Sequence, residues 1–338
     1  MKQSNVIKFA LIAFPFGLFL FGVIALSYSF LSPASRARDE GRALLSSKVR
    51  ATEKDLMAWV TRQANDIGSR PTMDQEKTRI TAKWIESELS EENIGYRPKV
   101  TFLDGKNGNY RNVEVESPGT DRADEIIVVG TCYSSAGDCP GANCNGTGVA
   151  ALLALARYFV DTEHSRTIRL VACVGTFQVG DGTQSSGISV LAKTCKKIDQ
   201  QVVGMIHLDS LGYYTDQVTD QRVPPQLKED YHGKGNYLAL VSEVSSEKFI
   251  ESFYSKFSED YEMPARKIIL SKDSLAYLSE DFVSLTGQGY PVLQLSDNSV
   301  YRYPHYQKGT DTSDQIDYER LSGVVKALVF SIESMLSP

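Results

Sequence analysis

Cys132, Asn143, Gln178, Asp209 and Gln307 lie in short glycine-bearing segments, and their side-chain chemistry sets what the chain can do. A cysteine thiolate and an aspartate carboxylate both bind zinc, which makes Cys132 and Asp209 the plausible metal ligands among the five. Asn143, Gln178 and Gln307 are neutral amides. Each offers one weak carbonyl ligand and two N–H donors that a cation repels. As a nucleophile, Cys132 would need a histidine base nearby; the candidates are His207 and His305, neither placed by spacing.

Three of these segments resemble those of a known family. Gly141-Ala-Asn-Cys-Asn-Gly-Thr-Gly148 and Val174-Gly-Thr-Phe-Gln-Val-Gly180 are similar to the GADDN-S-G and FGAEE-x-G segments of peptidase family M28. Tyr306-Gln-Lys-Gly-Thr-Asp-Thr312 resembles its YHTPADT. The similarity begins with Ile67-Gly-Ser-Arg-Pro-Thr72, like the family's IGPRPTG, and ends with Asp311-Thr-Ser-Asp-Gln-Ile-Asp317, like DT-x-D-x-ID. It covers nearly everything from about residue 52 onward.

Active M28 members hold two zinc ions on His, Asp and Glu ligands, with a Glu as general base. The resemblance places the AHYDS His on Cys132, the bridging Asp on Asn143, the base on Phe177, the metal Glu on Gln178 and the late His on Gln307. NLDMIG matches His207-Leu-Asp-Ser-Leu-Gly212, which keeps Asp209. Two close dications need anions to neutralise them, and amides supply none. Phe177 accepts no proton, which removes a contribution of about 10²–10⁴ in rate. Glutaminyl-cyclase-like members of the fold use one zinc held by Asp, Glu and His, a set this chain lacks. The resemblance therefore implies a pseudopeptidase with no resident cofactor. The alternative is a zinc aminopeptidase with one unorthodox ion on Cys132 and Asp209.

Plainer roles are open to the same residues. Cys132 suits a small buried hydrophobe or half a disulfide. Asp209 suits a turn cap, and the three amides suit a buried network that satisfies itself. His207 precedes Asp209 by two, so both point to one side of a strand, and a structural role is expected for it. His305 and Asp311 read as solvated on the last loop. Asp138, Asp181 and Glu280 are spare carboxylates without demanding spacing. The sequon Asn145-Gly-Thr147 lies inside the site loop and is discounted.

The elements that must carry these residues alternate. Helical periodicity covers Leu56, Trp59 and Val60 up to Gly68, then Gln75–Glu91, Thr147–Val160, Ile188–Cys195, Glu247–Tyr261 and Asp317–Met335. Strand patterns occur at Lys99–Leu103, Asn112–Glu116, Glu125–Gly130, Thr167–Val174, Val202–Leu208, Asn236–Val241 and Pro291–Leu295. Ile126-Ile-Val-Val129 is continuously apolar, as a strand covered on both faces requires. Tyr213–Gly235, with Pro224-Pro225, reads as a surface excursion. Strands alternating with helices predict an α/β three-layer αβα sandwich with a mixed central sheet.

The chain has 338 residues and is 42% hydrophobic, enough for a large core. A formal net charge of −6, with basic residues scattered rather than striped, excludes a nucleic-acid footprint. Residues 1–8 form a basic tail, and the uncharged run 9–35 suits a membrane span, because a bilayer core takes roughly 20 apolar residues. A cleaved signal peptide is the alternative, although signal cores run only about 7–15 residues. Residues 36–50 read as a stalk and 51–338 as the M28-like domain. Basic residues flank both sides of the run, and the exported character of the resemblance points to a domain outside the cytoplasm, where a peptide or protein partner would meet it. The odd set of five cysteines suggests one disulfide there, Cys139–Cys144 or Cys132–Cys144.

Overall fold

The computed structural model describes residues 51–338 apart from 107, 218–221, 225–226, 230–232, 261–263 and 338. The expected tail, membrane run and stalk lie outside the described residues. Among the described residues no helix is long and apolar enough to cross a membrane.

Two helices open the domain. The first, α1 (Glu53–Thr61), runs on through a wider turn to Ile67, and α2 spans Gln75–Leu89. Both have acidic or hydroxyl starts. Thr52 and Asp55 form a reciprocal capping box on α1, and the Asp74 carboxylate accepts the Lys77 N–H on α2. Strands β1 (Lys99–Gly105), β2 (Gly108–Ser117) and β3 (Arg122–Cys132) follow, then α3 (Thr147–Phe159), β4 (Arg166–Cys173) and a small hairpin, β5 (Thr176–Gln178) with β6 (Gln184–Ser186). After α4 (Gly187–Lys197) come β7 (Val202–Leu208), β8 (Leu238–Glu243), α5 (Glu247–Asp260), β9 (Ala265–Leu270) and α6 (Glu280–Thr286). The chain closes with β10 (Val292–Ser296), the single turn α7 (Ser299–Arg302) and α8 (Tyr318–Leu336).

Eight strands form one sheet in the order β1-β2-β4-β3-β7-β10-β8-β9. β4, β3, β7 and β10 run parallel, whereas β2 is antiparallel to β4 and β8 to β10. The sheet is mixed, as expected. Its period of two divides the core. Ile126 and Val128 of β3 join a cluster with Ile188 and Leu191 of α4 and Phe282 and Leu285 of α6. Ile127 and Val129, equally buried, alternate to the opposite face, where α3 packs on β3.

α3 is apolar all round and buried along its length, between the sheet and the α1–α8 pair. It lacks a side-chain N-cap, which forgoes about 1 kcal/mol. Full burial of Leu152, Leu153, Leu155 and Phe159, at about 1.5–3 kcal/mol each, outweighs that.

Helix and strand positions agree with the sequence patterns to within a few residues. The hairpin β5–β6, the edge strand β9 and the short α6 were not expected. Ala265-Arg-Lys-Ile-Ile-Leu270 hides its strand character because edge strands carry charges toward solvent.

The parallel strands end together, at Cys132, Cys173, Leu208 and Ser296. From β3 the chain crosses to β4 on one side, and β7 lies on the other. Open α/β sheets bind ligands outside such carboxyl ends, at the point where strand order reverses.

Candidate functional site

The loop from β3 to α3 is held from below by a buried cation. Arg70 is completely buried, and its guanidinium donates to the carbonyls of Gln63, Gly68, Tyr133, Pro140 and Gly141. Burial pulls its pKa down to about 10, while Cys139, Cys132 and Asp311 act to raise it, so it keeps its charge at neutral pH. Gly141 sits at φ 68°, and a Cβ there would lie 2.6 Å from the Cys144 carbonyl oxygen and 2.7 Å from Ser135 Cβ. Only glycine fits both constraints.

Asp311 holds the loop from the other side. It is fully buried, not solvated as its place on the last loop suggested. Its Oδ1 accepts the Asn143 N–H at 2.9 Å and the Tyr303 hydroxyl at 2.9 Å, and its Oδ2 accepts the Cys144 N–H at 3.2 Å. The Cys139 thiol donates to Oδ2 over 3.6 Å.

Asn143 is saturated. Its Nδ2 donates to Asp297 Oδ2 at 2.8 Å and Ser299 Oγ at 2.7 Å. Its Oδ1 accepts the Gly212 N–H at 2.9 Å and the Thr147 hydroxyl at 3.3 Å. The expected network of Asn143, Gln178 and Gln307 does not form. Gln178 is exposed and donates to the Gly182 carbonyl within its own hairpin. Gln307 is exposed at φ 54° and donates to the Tyr306 hydroxyl. Asp297 takes the place the sequence left empty: it is wholly buried and also accepts the Tyr213 N–H at 2.7 Å. Burial raises its pKa against the opposing effect of those donors.

Phe177 is buried, with its ring centroid 4.6 Å from that of Tyr110. Only Thr176 of β5 reaches the cleft at the strand ends, a cavity of about 420 Å³. Its walls include Ser134, Cys144, His207, Asp209, Asp281 and Gln307. Of the six family positions, Asp209 and Gln307 line it. Cys144 and Asn145 face it from the loop where Asn143 was expected, because Asn143 turns into the interior.

Asp209 Oδ2 accepts the Ser296 hydroxyl at 3.0 Å. His207 Nδ1 lies 3.2 Å from Gln294 Oε1, which also accepts from Ser279 Oγ at 3.0 Å. An amide oxygen only accepts, so Nδ1 is the donor in this pair. All five cysteines are buried free thiols, so neither expected disulfide is present. Burial pushes the Cys132 and Cys144 thiols well above the usual range. Asp138 and Asp181 are not among the cleft's walls, and the Glu280 side chain lies outside the described residues. Half-buried His305 bonds the Thr310 hydroxyl at 2.9 Å, and Asn145 donates to the Ser134 carbonyl. Among the described residues, no three or more His, Cys, Asp or Glu side chains are grouped to hold a metal ion.

Sequence reasoning missed Arg70, Asp281 and Asp297. Arg70 stood inside the quoted segment Ile67–Thr72, and Asp297 follows β10 directly as Asp209 follows β7. Position after a parallel strand was the available signal.

A mixed eight-stranded sheet between helical layers, with a cleft at the parallel strand ends, defines a zinc-aminopeptidase-like αβα protein. The LapA aminopeptidase of Legionella pneumophila superposes with a TM-score of 0.68 at 15% identity, over 89% of this chain and 75% of that one. BSAP, a zinc aminopeptidase from Bacillus subtilis, gives 0.65 at 12% identity, over 85% and 96% of the two chains. These likenesses carry the fold. The uncharacterized protein YfbL of Escherichia coli K12 is 23% identical over 235 residues, covering 66% of this chain and 70% of YfbL. The profile of peptidase family M28 matches residues 112–330, more than half of the sequence, and the chain belongs to that family.

Proposed function

We propose that this M28 member is a non-catalytic binding protein whose strand-end cleft takes a peptide. The observation that carries the reading is the placement of Thr176-Phe-Gln178. Phe177, at the base position, is packed against Tyr110, and Gln178 is spent on its own hairpin. Asn143 has every donor and acceptor occupied, and Gln307 brings an amide. A zinc pair does not fit this donor set, and no hydrolytic step is derived through one. What remains is a cavity in the size range of ligand sites, about 300–1,000 Å³, with convergent polar groups.

A second reading has one observation in its favour: His207 and Asp209 line the same cleft with Asp281. That reading is a hydrolase with a single unorthodox metal. The purified full-length chain separates the two by elemental analysis and by an aminoacyl-chromophore assay. The binding reading expects no stoichiometric zinc and no chromophore release. Equimolar zinc that disappears in Asp209→Ala, together with turnover, would replace it with the enzyme.

The proposal includes an anchor at 9–35, resting on that uncharged run, and a domain outside the cytoplasm, resting on the family resemblance. Protease protection of the domain in intact cells or vesicles tests it.

A further inference from the structure

A second cavity of about 420 Å³ adjoins the first, and the two share Thr176 and Leu278. Their charges are opposite. Asp209 and Asp281 line the first, and no lysine or arginine among the described residues does. Lys193 lines the second, without a carboxylate among the described residues. Lys193 stands on α4 four residues after Ser189, so both present to one helical face, with Ser185, Ser284 and Gln184 around them. No described residue forms an ion pair with Lys193. Its ammonium and the neighbouring hydroxyls are complementary to a carboxylate.

We infer that the two cavities are one bipolar cleft for a short peptide with free termini, its α-ammonium at Asp209 and Asp281 and its α-carboxylate at Lys193. This rests on the peptide-binding reading above and narrows it. An internal stretch of a protein carries no charge at its ends, whereas a short free peptide carries both charges a few bonds apart. Lys193 is the specificity-determining residue, because a carboxylate and its amide differ little in shape and differ by one charge.

Tripeptide pools randomised at every position, with free amino termini and either free or amidated carboxyl termini, are equilibrated with the purified full-length chain. Bound peptides are recovered by size exclusion and counted by mass spectrometry. The inference expects the free-acid pool to be enriched about tenfold or more over the amide pool, the scale of one charge-assisted hydrogen bond. It expects Lys193→Ala and Lys193→Gln each to abolish that preference; the side chain is exposed, so both variants should fold, which thermal melting verifies. Equal enrichment of the two pools, or a preference that survives both variants, overturns the bipolar cleft and leaves the peptide-binding reading standing. Enrichment of neither pool overturns both.

Discussion

Asn143 Nδ2 donates to Asp297 Oδ2 across 2.8 Å, and both residues are wholly buried. This pair sits where the family resemblance put a metal-bridging acid, and it converts that position from ligand to framework. Asn143→Asp would restore the expected acid but oppose two acceptors, one of them a carboxylate. Breaking a buried charged contact costs about 3–5 kcal/mol. The variant is expected to melt far below the wild type and to bind no stoichiometric zinc. A zinc-loaded, stable variant would show that the interior can turn Asn143 outward.

Arg70 makes the same argument for the loop. Lysine is a point charge and cannot serve five carbonyls at once. Each buried acceptor left unsatisfied costs about 1–3 kcal/mol, and three ammonium protons leave two of the five without that donor, so Arg70→Lys is expected to lose about 2 kcal/mol or more. Limited proteolysis near Gly137–Gly141 should quicken in the variant. Unchanged melting and cleavage would contradict the role assigned to Arg70.

These two residues also mark what could be read from the sequence. The sandwich was legible because Ile126-Ile-Val-Val129 and Thr147–Phe159 are apolar runs that must be covered on all sides, and Tyr318–Leu336 carries an apolar face at helical period. The site was legible only as a frame. Asn143 marks a former acid position but does not announce which way its amide turns. That direction is set by Asp297 and Asp311, which lie more than 150 residues further along the chain, at |i−j| of 154 and 168 from Asn143. No local pattern encodes a carboxylate that folding brings from so far.

At β5 the expectation separates two neighbours. Phe177 is buried against Tyr110, so Phe177→Glu puts an unpaired carboxylate in an apolar contact and should cost about 3 kcal/mol or more. Gln178 is exposed, so Gln178→Glu should change stability by no more than about 0.5 kcal/mol. The double variant Phe177→Glu/Gln178→Glu rebuilds the family's acid pair in sequence alone. Measured with aminoacyl chromophores and added zinc, it is expected to stay inactive, because Asn143 and Gln307 still supply no anion. Turnover would show that Phe177 and Gln178 together had silenced the site.

The pH dependence of stability carries a histidine signature away from the cleft. His164 is buried, with Nδ1 donating to the Arg166 carbonyl and Nε2 3.1 Å from Ser117 Oγ. Burial lowers its pKa below the ordinary 6.5, against the raising effects of the Arg166 carbonyl and Glu333. The unfolded chain therefore takes up a proton near pH 6.5, while the folded chain takes it up only at lower pH. Between those values the unfolded state holds more protons, so stability falls on acidification. Asp297 acts in the opposite sense: its raised pKa means the folded state holds more protons above pH 3.8, and acidification adds stability there. Comparing wild type with His164→Asn cancels the Asp297 contribution. The difference in melting temperature between pH 7.5 and pH 5.5 should be smaller in the variant. An equal difference in both proteins would mean that His164 does not control the acid limb.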